Sequence, residues 1–314
     1  MADDGPELPP FATVEQPPAP TAAPDPVFGR AGAAAGWLAD RLTSPELRRP
    51  TVVLVAGDHD GPDDRTNLPG PAGLLLSELA HRWGATLVEH DVATCYATDT
   101  EFVVRRGHPE PGTADAADRA QVLAAVAHGR LIADREIDSG ADLLIPGLAG
   151  RGHAAVLGAL IAQLCTLEPV DAVPVADDDA ALWAATVTAV RDATFRLRGR
   201  QHDALSLLVA VGGTDLATLA AVIAQAAARR TPVLLDGLAG LVAAVLAHRL
   251  APGAEGWFLA ASEPTDRAGT RLREMLGLPA VVELGTQSWS GAGALLVLPL
   301  VQAALAGRPV TPAP

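Results

Sequence analysis

Asp58, His59 and Asp60 stand side by side between Gly57 and Gly61, three side chains able to take or give protons at one turn of the chain. Carboxylates accept hydrogen bonds and an imidazole can both donate and accept, so the group suits a small polar or heteroaromatic ligand. The same residue types also cap helices and bond loop backbone, and residue type alone leaves both uses open. A second set lies at Gly147-Leu-Ala-Gly150-Arg151-Gly152-His153. There, backbone N–H groups and a helix dipole could hold an anion. The spacing matches neither the dinucleotide fingerprint nor the P-loop. Gly212-Gly213 and Gly291-Ala-Gly293 also precede helical patterns. Each such turn more often serves close helix–strand packing, but three in one chain favour a phosphate-bearing ligand without identifying it. Asp177, Asp178 and Asp179 look like a metal box, yet they directly precede a helical pattern. They are read as helix-capping and dipole charges.

Alternating strands and helices must position these residues. Thr51-Val-Val-Leu-Val-Ala56 is apolar and largely β-branched, and glycine ends it. It reads as a strand buried on both faces, as in a parallel sheet, and ligands gather at the carboxyl ends of such strands. Further strands are expected at 85–92, 142–146, 232–236 and 256–261. Helices are expected at 32–42, 72–83, 115–139, 154–167, 180–197, 215–230, 238–250, 268–276 and 293–306. The alternation predicts an α/β fold of three layers, a mostly parallel sheet with helices on both faces (Rossmann-like), with a small helical N-terminal part. Residues 1–26 read as a mobile proline- and alanine-rich arm, 27–307 as a single domain and 308–314 as a short tail.

Composition restricts the function. The net charge is −14, and all 23 basic residues are arginine. An acidic surface argues against nucleic-acid or anionic-membrane partners. Without lysine there is no Schiff base, no lysine general base and no P-loop lysine, although arginine can still hold phosphate by its fork. No window is read as a membrane span, and the acidic start is not that of a signal peptide. Cys95 and Cys165 are isolated thiols without metal or redox spacing. These features predict a soluble cytoplasmic protein with no metal and no cofactor.

The chain resembles the nicotinate-nucleotide–dimethylbenzimidazole phosphoribosyltransferase family, in order, from about Phe28 to Ala306. Phe28-Gly29-Arg30 is similar to the family's entry segment. Val53-Leu-Val-Ala-Gly-Asp58-His59 is similar to its strand ending in Asp-His-Gly, with Asp60 in place of that glycine. Gly140-Ala-Asp-Leu-Leu144 precedes Gly147-Leu-Ala-Gly150-Arg151-Gly152, which lines up with the family's Gly-Glu-Met-Gly-Ile-Gly. Gly212-Gly213 with Asp215, Pro232-Val-Leu-Leu-Asp236-Gly237 and Ser262-Glu263-Pro264 have counterparts. The nearest match runs from Leu284-Gly285 through Gly291-Ala-Gly293-Ala294 to Leu298-Pro299-Leu300.

The resemblance implies transfer of phosphoribose from nicotinate mononucleotide to a benzimidazole-type base, in synthesis of the cobalamin lower ligand. Asp58 and His59 would then lie in the base-binding region. Gly150, Gly152 and the turn Gly291–Gly293 would contact the nucleotide, with Asp236 and Ser262 in the same cleft. Gly147 is a further substrate-binding candidate, and Arg151 and His153 are candidates to replace lost phosphate or proton-transfer groups. The implied assembly is a homodimer; a hetero-oligomer with a complete relative belongs to a partner-subunit reading. Several family groups have no match here. The family's catalytic glutamate falls beyond the last helix, where residues 307–314 carry no carboxylate. Leu148 replaces another glutamate, Ser290 an acid, and the active-site lysine has no counterpart. Two readings stand: a transferase with replacement acid–base groups, for which Asp58, His59 and Asp60 are candidates, or a non-catalytic paralogue that binds nucleotide or base or serves as partner subunit.

Overall fold

The computed structural model describes residues 8–17, 27–63, 71–96, 101–175, 179–200, 203–286, 288 and 290–308. Its strands are β1 (Pro50–Gly57), β2 (Thr86–Ala93), β3 (Leu143–Ala149), β4 (Val233–Leu235), β5 (Phe258–Ser262) and β6 (Ala280–Val282). They form one sheet in the order β2-β1-β3-β4-β5-β6, every pairing parallel. The helices are α1 (Gly29–Ala39), α2 (Pro71–Arg82), α3 (Arg119–Asp138), α4 (His153–Cys165), α5 (Pro169–Ala172), α6 (Ala180–Arg196), α7 (Ala204–Leu207), α8 (Gly213–Ala228), α9 (Gly237–Leu250), α10 (Arg267–Met275) and α11 (Ala292–Ala306).

Successive strand residues point to opposite faces of a sheet, and the core divides accordingly. Val53, Val55, Leu144, Leu148, Val233, Leu235 and Phe258 pack with α3, α4, α8 and α9. Val52, Leu54, Leu143, Ile145, Leu234, Leu259 and Val281 pack with α1, α2 and α11. Three layers result, as expected. Alanine lets the helices approach closely, and Gly129 on α3 carries no side chain because a Cβ there would lie 2.3 Å from the Thr218 carbonyl of α8.

Four features depart from the expectations. β6 is not among the expected strands, since three residues carry too little periodicity to register. Helix α3 starts at Arg119 rather than Asp115, because Asp118 and Gln121 form a reciprocal capping box there. Gly212-Gly213 is no loop before a helix. Helical residues run from Ala204 to Ala228 through a π-helical turn at Leu208–Gly212, and the break is confined to Gly213, whose φ of +71° and ψ of −170° are not helical. That stretch is also long and apolar enough to cross a membrane, against the expectation that no such run exists, but 94% of its apolar window is buried inside the protein.

Part of the expected mobile arm is bound. Trp257 Nε1 donates to the Glu15 carbonyl at 2.9 Å, and Arg130 donates to the Pro9 and Pro10 carbonyls at 3.1 and 2.6 Å. Val14 joins the core beneath them. Proline in an extended segment lowers the entropy lost on such docking, so residues 8–17 attach without secondary structure of their own. Asp179 caps α6 by accepting from the Leu182 N–H at 2.9 Å, as expected; Asp177 and Asp178 lie outside the described residues.

Candidate active site

The strand order reverses direction at β1 and β3, and in open parallel sheets ligands bind outside the carboxyl ends at such a point. Here the crevice is filled by the protein itself. Asp58 and His59 follow β1 directly, His108 comes from the loop before α3, His153 begins α4 and Asp215 lies in the first turn of α8. All five are buried.

Asp215 is the hub. His59 Nε2 lies 3.1 Å from both of its oxygens, and His153 Nε2 lies 2.8 Å from Oδ2. Burial alone would raise the Asp215 carboxyl, but the His59 charge and the hydrogen bonds from His153 and His59 outweigh it and hold the group well below the ordinary carboxylate range. Burial lowers His153 in turn. His108 is pushed down to about 3, by burial first and the His59 charge second. Its Nε2 accepts the Thr214 N–H at 3.0 Å, so its proton sits on Nδ1 and goes to the Asp58 carbonyl at 3.0 Å.

Donor atoms of His59, His108 and Asp215 lie within 4.8 Å of one another, a set suited in type to a transition metal. Ring orientation argues otherwise. An imidazole ligates in its own plane at about 2.0–2.1 Å. The His59 and His108 rings are stacked, with centroids 4.3 Å apart and planes 21° apart, so one ion cannot lie in both planes at that distance. The cluster is a hydrogen-bonded brace.

Asp58 has the same character. Its Oδ2 accepts from the Cys95 N–H at 2.8 Å and its Oδ1 from the Arg151 N–H at 3.2 Å. The Arg151 guanidinium stands 3.9 Å away, one-third exposed. The glycines of the β3–α4 turn fit tightly against this loop. Gly150 and Gly152 have φ of +118° and +77°, and a Cβ on them would lie 1.7 Å from the Gly57 carbonyl and 2.0 Å from the His59 carbonyl. Gly147 packs similarly against the Ser290 carbonyl.

A cavity of about 190 Å3 opens elsewhere, beyond the carboxyl ends of β4 and β5. Leu157 and Ile161 of α4, Val173, and Leu182 and Trp183 of α6 form apolar walls, while Asp63, Thr265 and Asp266 bring polar groups. A smaller cavity of about 20 Å3 shares Gly237, Pro264 and Thr286 with it and is lined by Asp236, Ser262 and Glu263. Asp236 ends β4, and its Oδ2 accepts the Gly293 N–H at 3.0 Å, at the N-terminal end of α11.

Thus the structure groups Asp58, His59, Gly150, Arg151 and Gly152 around the brace, and Asp236, Ser262, Gly291 and Gly293 at the second site. Asp236 and Ser262 line the smaller cavity; the other eight sequence-derived candidates line neither cavity. Sequence reasoning overlooked the α4–α6 wall and His108. Trp183, one of five tryptophans in the chain, was a usable signal for the wall; His108 had none.

A family model described as Phosphoribosyltransferase matches residues 70–308. The nicotinate-nucleotide–dimethylbenzimidazole phosphoribosyltransferase of Mycobacterium ulcerans is 38% identical over 300 residues, covering 89% of this chain and 84% of the relative. The protein of the same name from Corynebacterium efficiens is 39% identical over 275 residues, covering 82% and 74%. Among solved structures, CobT from Thermus thermophilus aligns with a TM-score of 0.78 at 26% identity, over 90% of this chain and 91% of that one. A structure of the phosphoribosyltransferase from the same organism gives 0.74 at 25%, over 90% and 95%.

Proposed function

The chain belongs to the nicotinate-nucleotide–dimethylbenzimidazole phosphoribosyltransferase family, and we propose that it transfers phosphoribose from nicotinate mononucleotide to a benzimidazole-type base within the cavity beyond β4 and β5. The cavity carries this reading. A void of about 150 Å3 lined by aliphatic side chains is enough to hold benzene; this one is larger, at about 190 Å3, and a tryptophan joins its aliphatic walls. A flat, largely apolar heteroaromatic base suits it. The polar end, with Asp236, Ser262, Gly291 and Gly293, receives the ribose and phosphate. Asp58 and His59 hold the loop after β1 in place through Cys95, Arg151 and Asp215.

We further propose a homodimer working in the cytoplasm. Leu74 and Leu75 of α2 and Leu296 and Leu300 of α11 are exposed on two helices that pack together. Such a face suits a self-complementary contact.

The test is to fill the cavity. Ala154→Phe places a ring where Ala154 now lines it. Calorimetric titration with 5,6-dimethylbenzimidazole should show affinity reduced at least about tenfold, with the melting temperature little changed. Equal affinity in the variant would remove the base from this cavity.

A further inference from the structure

The larger cavity is built from two kinds of surface. Helices α4 and α6 and the segment after α5 supply Leu157, Ile161, Val173, Leu182 and Trp183, while the loops after β5 and β6 supply Thr265, Asp266 and Thr286. The smaller cavity shares Gly237, Pro264 and Thr286 with it, and none of the α4–α6 residues borders that smaller space. The apolar wall therefore lies away from the polar end, where the two cavities adjoin. A two-ringed base that points its imidazole nitrogens to the polar end must turn its six-membered ring to the wall.

Trp183 stands apart in that wall. Among the described residues it is the one aromatic side chain lining either cavity. It packs against the core, and its Nε1 donates to the Val173 carbonyl at 3.3 Å. That bond ties the indole to the segment after α5 and occupies its only polar hydrogen. The hydroxyl on the same side, that of Thr186, donates to the Leu182 carbonyl at 2.9 Å. Among the described residues the wall thus has no side-chain donor left to offer a ligand.

Resting on the transferase reading, we propose that Trp183 is a specificity-determining residue: it admits acceptors whose six-membered ring is all carbon at its outer edge and disfavours those with ring nitrogens there, as in purines. A benzo ring brings only C–H groups to the wall and packs on the indole, a contact worth more than its area alone. A purine brings lone-pair acceptors. With the indole N–H and the Thr186 hydroxyl occupied, these lose water and gain no donor in its place. Differences of a single group in an apolar pocket are typically discriminated by about 10–200-fold.

The test compares benzimidazole with purine, which share a bicyclic frame and differ only in the nitrogens of the six-membered ring. The full chain, Trp183→Ala and Trp183→Phe are each assayed with nicotinate mononucleotide and either base. In the unmodified chain kcat/KM should favour benzimidazole by at least about tenfold. The bases differ in intrinsic reactivity, but equally for every variant, so a change in the ratio reports the wall. Trp183→Ala lets water reach the purine nitrogens and should shrink the ratio at least about fivefold, with KM for the nucleotide kept within about threefold. Trp183→Phe restores a ring and should hold the ratio within about threefold of the unmodified chain. An unchanged ratio in the alanine variant, or a phenylalanine variant that loses as much, overturns the assignment. Should the alanine variant not fold, calorimetric titration of the unmodified chain decides: benzimidazole bound at least about tenfold tighter than purine supports the proposal, and equal affinity overturns it. Ribotide formed at an unchanged ratio counts against Trp183 alone. No ribotide from any base counts against the transferase reading, and the calorimetric pair then still decides what the wall selects.

Discussion

At the scale of single residues, the brace shows how burial converts polar side chains from chemistry to architecture. Asp215 ties β1, α4 and α8 together through His59 and His153. Removing one partner of a buried pair leaves the others uncompensated, which typically costs about 3–5 kcal/mol. Asp215→Ala should therefore lower the urea-unfolding free energy by that order at pH 7, and a loss under about 1 kcal/mol would show the network to be dispensable. The sequence carried the types of these residues but not their company. Asp58 and His59 stood out because glycine isolates them after an apolar strand. Nothing near His108 announced that it would stack on His59, far from it in sequence, because that contact is made by tertiary structure.

At the scale of elements, most of the fold was legible. β2 followed from its alternation and the other strands except β6 from short apolar runs bounded by turn residues, and their succession with helices implied the parallel sheet. The failures share a cause: local signals were overridden by tertiary context. Gly212-Gly213 reads as a break after a loop; the break is real, since Gly213 has φ +71° and ψ −170°, but helix rather than loop precedes it, and the missing side chain admits the His108 ring, which a Cβ would meet at 2.7 Å. The β3–α4 turn was legible as a glycine turn, but its tightness was not. Gly150→Ala must strain a left-handed backbone and collide with the Gly57 carbonyl, so it should cost at least about 3 kcal/mol or prevent folding. Denaturant unfolding measures this directly; a variant as stable as the parent would mean that the two turns can separate.

At the scale of the molecule, the protein places its polar brace at the topological switch point and its cavity two strands away. The cavity draws on residues from Asp63 to Thr286, so no sequence window held its outline; α4 read as an apolar helix without a hint that one face borders open space. The docked segment 8–17 was hidden for a similar reason, since its partners Arg130 and Trp257 are remote in sequence. Family resemblance reached the function sooner than any local pattern, because it sums ordered weak matches along the whole chain. The central claim is phosphoribosyl transfer by a chain without lysine. Its most direct test is to incubate the purified protein with nicotinate mononucleotide and 5,6-dimethylbenzimidazole and to follow nicotinate and ribotide by mass spectrometry. Both products should appear in equal amounts and only when the base is present. A folded protein that binds both substrates and releases neither product would contradict it.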